Sequence, residues 1–276
     1  MRNTVKTTAA ALAAGALALT LSACGSGSGS GKNGANDPLV VAASPTPHAD
    51  ILNFVKDNLA KKAGLTLEVK EFTDYIQPNV VTQNGDVGAN FFQHRPYLDD
   101  FNKEHKTTIV PVADVHLEPL GLYSKKVKSA KDLKSGATVG LPNDATNEGR
   151  ALKLLADNGV IELKAGVGQN GTPKDITANP GKLKFKELEA AQLPRSLDDT
   201  DASVINGNYA LEADLNPAED ALVVEKAKGN PYANFLAVKK GNENDPRVKK
   251  LARLLQSPEV KKYIVDKFKG AVIPAF

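Results

Sequence analysis

Arg150 is the residue of this chain whose type and position carry the most chemical meaning. It falls in the first turn of a helix expected from about Asn147 to Asp157, where Ala151, Leu154 and Leu155 share one face. A cation there opposes the helix macrodipole at a cost of roughly 0.3–1 kcal/mol. A bound carboxylate reverses that sign, because free backbone N–H groups and a guanidinium fork would converge on one anion. A surface ion pair with Glu148 or Asp144 is the plainer alternative. Asn143, Asn206 and Asn234 each fall just after, or at the start of, an expected strand. An amide both donates and accepts, which suits a zwitterion with an ammonium and a carboxylate to satisfy. Singly, each Asn is also a good turn former. Ligands of open α/β sheets sit at the carboxyl ends of strands, and that rule places these residues in one crevice.

Aromatic residues form the second group. Phe72, Tyr75, Phe91, Phe92 and Tyr97 fall within 26 residues of a chain that is 5% aromatic. Phe72-Thr73-Asp74-Tyr75 is expected to follow one strand, and the stretch from Asn90 to Tyr97 to follow another. Phe72, Phe91 and Tyr97 read as core. Tyr75 and Phe92 stand at strand ends beside polar neighbours, where a cleft wall is as good a reading. His94 taken alone reads as a structural histidine. The four histidines, His48, His94, His105 and His116, show no metal-type spacing. There is no GxSxG, P-loop or GxGxxG, and no nucleophile with a base beside it. The sequence therefore predicts a binding protein rather than an enzyme, with no metal and no cofactor.

The elements that must position these groups repeat in order. Residues 39–43 read as a buried strand, Pro45 and Pro47 as a turn, and His48 to Ala60 as a helix with Ile51, Leu52, Val55 and Leu59 inward. Leu65, Leu67 and Val69 alternate as a second strand. This βαβ order predicts a buried parallel sheet. A similar order restarts with a strand at 137–141, a turn at Pro142-Asn143-Asp144 and the Arg150 helix. Asp86 to Phe91 and Asp201 to Asn206 form another matching pair, and the Gly-rich stretch 165–172 reads as a surface loop. A strand at 234–238 and helices from Asp245 to Gln256 and Pro258 to Phe268 close the chain, with Pro in the first turn of each helix. Two α/β lobes are expected: 38–119 with 235–276, and 120–234. Crossings near 117–124 and 229–235 would form the hinge.

The first residues state a destination. Arg2 and Lys6 precede an unbroken run of small and apolar residues from Ala9 to Leu21. That run covers about 20 Å as a helix, too short for a hydrocarbon core of roughly 30 Å. It reads as a signal peptide over 1–23. Cys24, the single cysteine, stands at the cleavage point, and 24–37 reads as a flexible Gly/Ser tether. One Cys excludes a disulfide framework and Cys-rich zinc sites. The chain has 35 basic and 32 acidic residues, so the balance argues against an electrostatic nucleic-acid binder.

Leu21-Ser22-Ala23-Cys24 resembles the lipobox of bacterial lipoproteins, in which the Cys is lipidated. Pro45-Thr46-Pro47-His48, FTDYIQPN (72–79), NFFQHRPYLDDF (90–101), EPLGLYSKK (118–126), LPNDATNEGRALKLL (141–155), LEAAQLPRSLDD (188–199), VINGNYAL (204–211) and PYANFLAV (231–238) resemble the methionine-binding lipoproteins of methionine ABC importers, the NlpA-type substrate-binding lipoproteins. The resemblance runs in order from about residue 39 to near the end. It implies a two-lobed periplasmic-binding-protein fold whose lobes are joined by two crossings, with the ligand in the cleft. It implies capture of L-methionine and delivery to a permease and ATPase complex by a monomer anchored through Cys24 to the extracytoplasmic face of the cell membrane. By position, Arg150 would hold the ligand carboxylate with help from Asn143, Asn206 and Asn234 would bind the α-amino and carboxylate ends, and Tyr75, Phe92 and His94 would enclose the thioether. D-methionine, cysteine or cystine, and a methionyl dipeptide are the related ligands left open, as is a surface-adhesion role.

Overall fold

The structure, a computed structural model, describes residues 37–276; the signal segment, Cys24 and the stretch to residue 36 lie outside the described residues. Among the described residues no helix is long and apolar enough to cross a membrane.

Leu39–Ala43 is apolar at every position, as a strand covered on both faces must be. It lies between Leu67–Glu71 and Ala89–His94, parallel to both. Ala233–Lys239 then pairs antiparallel with Ala89–His94 and with Ile109–Leu117, and Ile273–Pro274 completes a sheet of six strands. The sheet is thus mixed, where the βαβ pattern alone predicts a parallel one. The sequence pattern sees local crossovers, whereas the direction of Ala233–Lys239 is set by where the chain returns from the second lobe.

One face of this sheet is covered by a helical layer. Ile51, Leu52 and Val55 from the first helix, Val248, Leu251 and Leu255 from Pro246–Leu255, and Val260, Ile264 and Phe268 from Pro258–Phe268 pack with Leu39, Val41, Ala43 and Phe91. The i, i+3, i+4 spacing of these apolar residues is what selects the helix. Burying each contributes about 1.5–3 kcal/mol. Asp245 and Ser257 cap the last two helices by accepting from Arg247 N and Val260 N.

The second sheet has the order Val223–Val224, Gly121–Tyr123, Ala202–Ile205, Thr138–Pro142, Lys184–Leu188. Its core joins Leu120, Leu122, Val139, Leu141 and Val204 to Ala151, Leu152 and Leu155 of the helix Ala145–Asp157. The chain passes between the sheets after Leu117 and again before Ala233. Each sheet with its helices is one lobe.

Two expectations change here. Asn90 to His94 is not a turn but part of the buried strand Ala89–His94, so its polar side chains enter the interior on a rigid element. The Arg150 helix starts at Ala145 rather than Asn147, because the Asp144 carboxylate accepts the Asn147 N–H and supplies the cap. Arg150 is then in the second turn, where the dipole penalty has faded.

Candidate ligand-binding site

Between the lobes lies a pocket lined by Tyr75, Phe92, His94, Tyr97, Arg150 and Asn206, with Glu118, Asn147, Asn208 and Asn234 completing its polar side. Six of the seven residues expected at the site line it. Asn143 does not: it is exposed at the end of Thr138–Pro142, and its amide donates to Glu189 Oε1 at 3.2 Å. Leu141 and Pro142 turn inward, and the chain leaves the sheet at the next residue with its side chain outward.

One end is aromatic. The rings of Tyr75, Phe92 and Tyr97 have centroids 5.7–6.0 Å apart in tilted and edge contacts. Tyr97, expected in the core, is half-buried and belongs to this wall; its hydroxyl donates to the Tyr75 carbonyl. Phe91, one residue from Phe92, points to the opposite face and packs in the lobe core, as strand alternation requires. Gln93 also reaches the pocket, but its amide is tied to Asn79 and Asn90 at 2.7–2.9 Å and serves the strand.

The other end is polar and spans the cleft. Asn147 Oδ1 accepts from His94 Nε2–H at 3.1 Å and from Asn206 Nδ2 at 2.9 Å, while its own amide nitrogen donates to Asp144. The Tyr97 N–H bonds His94 Nδ1, which fixes the ring as the Nε2–H tautomer. Burial lowers the His94 pKa to about 3, the Arg150 charge acting in the same direction, so the ring is neutral. Tyr75 donates to Asn208 Oδ1 at 2.5 Å and Tyr209 to the Thr73 carbonyl at 3.0 Å, two more bonds between lobes. The lobes are closed on each other.

Arg150 is 4% exposed. Its partner is Glu225, not Glu148 or Asp144: Nε donates to Oε1 at 2.9 Å and Nη2 to Oε2 at 2.5 Å. Nη2 also donates to the Glu118 carbonyl, and the guanidinium lies 4.1 Å from the Tyr232 ring centroid. Burial pushes the Glu225 carboxyl up, but Arg150 outweighs it and holds the group below the usual carboxylate range. The Gly-rich loop takes part as well, since Tyr232 donates to Gln169 Oε1 at 3.2 Å.

Glu148, buried in the first turn of the Arg150 helix, has an oxygen with no hydrogen-bond partner among the described residues. Burial and the nearby Glu187 raise its pKa to about 7. A carboxyl raised in the folded state adds stability below its unfolded pKa and loses it as pH rises through the folded value. Glu148→Gln is therefore expected to stabilise the protein by about 1 kcal/mol near pH 8, discounting for solvent at Glu187. The gain should shrink as pH falls below about 7, read by urea unfolding at several pH values.

Behind the polar end, His48 and His116 both direct Nε2 at Glu118 Oε1, at 3.2 and 2.7 Å. His48 Nε2 also lies 3.0 Å from Asn234 Oδ1. Sequence spacing gave no sign of this cluster, which three separate stretches bring together. Its donor atoms lie within 4.8 Å of one another. Among the described residues neither imidazole Nδ1 atom has a partner, so none there supplies the outer hydrogen bonds that orient metal-binding histidines. The group works as a hydrogen-bonded pin: burial keeps His48 near pKa 4 and His116 near 3, and it raises Glu118 against the pull of His48 and Arg150. With Asn234 Oδ1 facing His48, Asn234 Nδ2 is left as a donor, its one other contact being a long 3.4 Å bond to the Tyr232 carbonyl.

What remains for a ligand is specific. Asn206 Oδ1 is buried and has no partner among the described residues, so it calls for a donor. Arg150 Nη1 and Asn234 Nδ2 are donors that call for an acceptor. An acceptor and two donors beside an aromatic box fit an α-amino acid with an apolar side chain.

The NlpA lipoprotein family profile matches residues 39–276. The chain is 43% identical over 240 residues to the methionine-binding lipoprotein MetQ of Bacillus subtilis, covering 86% of this chain and 87% of that one. It is 44% identical over 222 residues to the D-methionine-binding lipoprotein MetQ of Salmonella typhimurium, covering 79% and 82%. The solved structure of a nutrient-binding protein from Burkholderia cenocepacia bound to methionine superimposes with a TM-score of 0.83 at 48% identity, covering 86% of this chain and all of that one. The architecture is theirs, two-lobed with a cleft between the lobes. This chain belongs to the NlpA lipoprotein family.

Proposed function

We propose that this protein captures free L-methionine between its lobes and delivers it to the permease and ATPase of an ABC importer, as a monomer held at the extracytoplasmic face of the cell membrane by lipid on Cys24. The observation that carries the reading is the unpartnered Asn206 Oδ1 set beside the free donors of Arg150 and Asn234. The ligand ammonium would meet Asn206, and its carboxylate Arg150 Nη1 and Asn234 Nδ2. The thioether would lie against Tyr75, Phe92 and His94, where sulfur–aromatic contacts contribute roughly 0.3–1.5 kcal/mol each. The names of the relatives support the same ligand. Residues 38–119 with 235–276 and residues 120–234 would move as two bodies, and closure would seal the ligand from water.

The test is a thermal-unfolding panel, since a ligand that binds only the folded state raises its midpoint by mass action. L-methionine should raise it, whereas N-acetylmethionine, which lacks the ammonium, should not. Equal shifts by both would remove Asn206 from its role. D-methionine is the second ligand to try, because the Salmonella relative is named for it. For the anchor, Cys24→Ala should release the mature protein from the membrane fraction, and retention would overturn the lipid attachment.

A further inference from the structure

Charge is divided unevenly over the surface. Residues 37–276 hold 32 basic and 32 acidic side chains, a net charge of zero. The helical layer on the outer face of the first sheet is made by Asp50–Ala63, Pro246–Leu255 and Pro258–Phe268. These segments carry ten Lys and Arg against four Asp and Glu, a net +6 that leaves −6 for the rest of the described chain. They are one surface: Phe54 stacks on Tyr263 with centroids 4.2 Å apart, Lys250 Nζ donates to the Gly64 carbonyl and Lys267 pairs with Asp50. Lys262 is taken by Asp266. Lys56, Lys61, Lys62, Lys249, Arg253 and Lys261 are exposed and have no carboxylate within ion-pair distance among the described residues.

The place where the described chain begins decides the occupant. Arg247, on the same layer, is buried and donates to the carbonyls of Asp37 and Pro38, so the N-terminal segment joins the fold at this basic face. Only 12 residues lie between Cys24 and Asp37. Fully extended they span at most about 45 Å. A lipid anchor on Cys24 would therefore keep this face near the bilayer.

We propose that the basic helical layer rests on the anionic headgroups of the membrane that holds the lipid, with the acidic remainder of the molecule turned away. This rests on the lipoprotein reading for its geometry, but its test does not use the anchor. Lys and Arg near an anionic surface attract it within a Debye length, about 8–10 Å at ordinary salt, and added salt weakens the attraction. An array of unpaired cations suits a headgroup plane, and none of these cations lines the pocket.

The experiment is co-sedimentation of the protein starting at Gly25, which lacks Cys24. Solved relatives consist almost wholly of the matching region, so this part folds alone. It should bind vesicles rich in phosphatidylglycerol at low salt, release at high salt and ignore phosphatidylcholine vesicles. A variant with Lys61, Lys62, Lys249, Arg253 and Lys261 all changed to Glu should bind the anionic vesicles at least about tenfold less. Its thermal midpoint and its shift with L-methionine should be unchanged. Equal binding by the variant, equal binding to neutral vesicles, or no binding by the parent would each overturn the proposal. A variant that transports poorly yet binds vesicles like the parent would give the surface to a protein partner instead, also against it.

Discussion

Arg150→Ala is expected to abolish measurable methionine binding, a loss of at least about two orders of magnitude or ~2.7 kcal/mol. It should also destabilise the fold. Arg150 sits 4% exposed against the Glu225 side chain, so truncation strands a carboxylate that is itself largely buried. Breaking such a pair from one side costs roughly 3–5 kcal/mol. The discriminating variant is Arg150→Gln combined with Glu225→Gln, which leaves no lone charge. It should recover most of the stability by urea unfolding and none of the affinity by calorimetry. Recovery of binding in the double variant would show that Arg150 serves only to neutralise Glu225.

Glu118→Ala should have the second-largest effect. Oε1 of this side chain accepts from His116 Nε2–H and lies 3.2 Å from His48 Nε2, so truncation leaves His116 Nε2–H without a partner among the described residues and His48 with only Asn234. An unmet buried donor costs about 1–3 kcal/mol. We expect about 3 kcal/mol less stability and roughly tenfold weaker methionine binding, because Asn234 loses a fixed orientation. Glu118→Gln keeps an acceptor oxygen and should stay within about 1 kcal/mol of the parent at mildly acidic pH. Burial raises the Glu118 carboxyl in the folded state, so its contribution is present at low pH and is lost as pH rises through the folded value. The glutamine variant should therefore gain on the parent with rising pH. An alanine variant as stable as the parent would remove the pin from the account.

Much of the site was legible because its residues stand at strand ends and helix starts. Arg150, Asn206 and Asn234 were reachable from position, and Tyr75 and Phe92 from aromatic clustering in polar surroundings. Asn147 was missed although it lies three residues before Arg150, a spacing that puts both on one helix face. Glu118 was missed too, yet an acid between apolar neighbours in HLEPLGLY is a signal of burial with a partner. Its partner His116 stands two residues before it, whereas His48 and the Asn234 that bonds His48 come from distant segments and could not be read. Asn143 failed for a local reason: the end of a strand gives the neighbourhood of a crevice but not the side on which the next residue points. The strand at 234–238 was legible, but its antiparallel direction was not, nor was the partner of Arg150, which lies 75 residues away.

The central claim is that the cleft holds one amino acid by both its charged groups. The most direct measurement is calorimetry on the protein from Gly25, refolded to strip carried ligand and titrated with L-methionine. The account predicts tight one-to-one binding that is lost in the Arg150→Gln, Glu225→Gln variant and absent for N-acetylmethionine. No heat at several temperatures, with the refolded protein still cooperative in thermal unfolding, would contradict it.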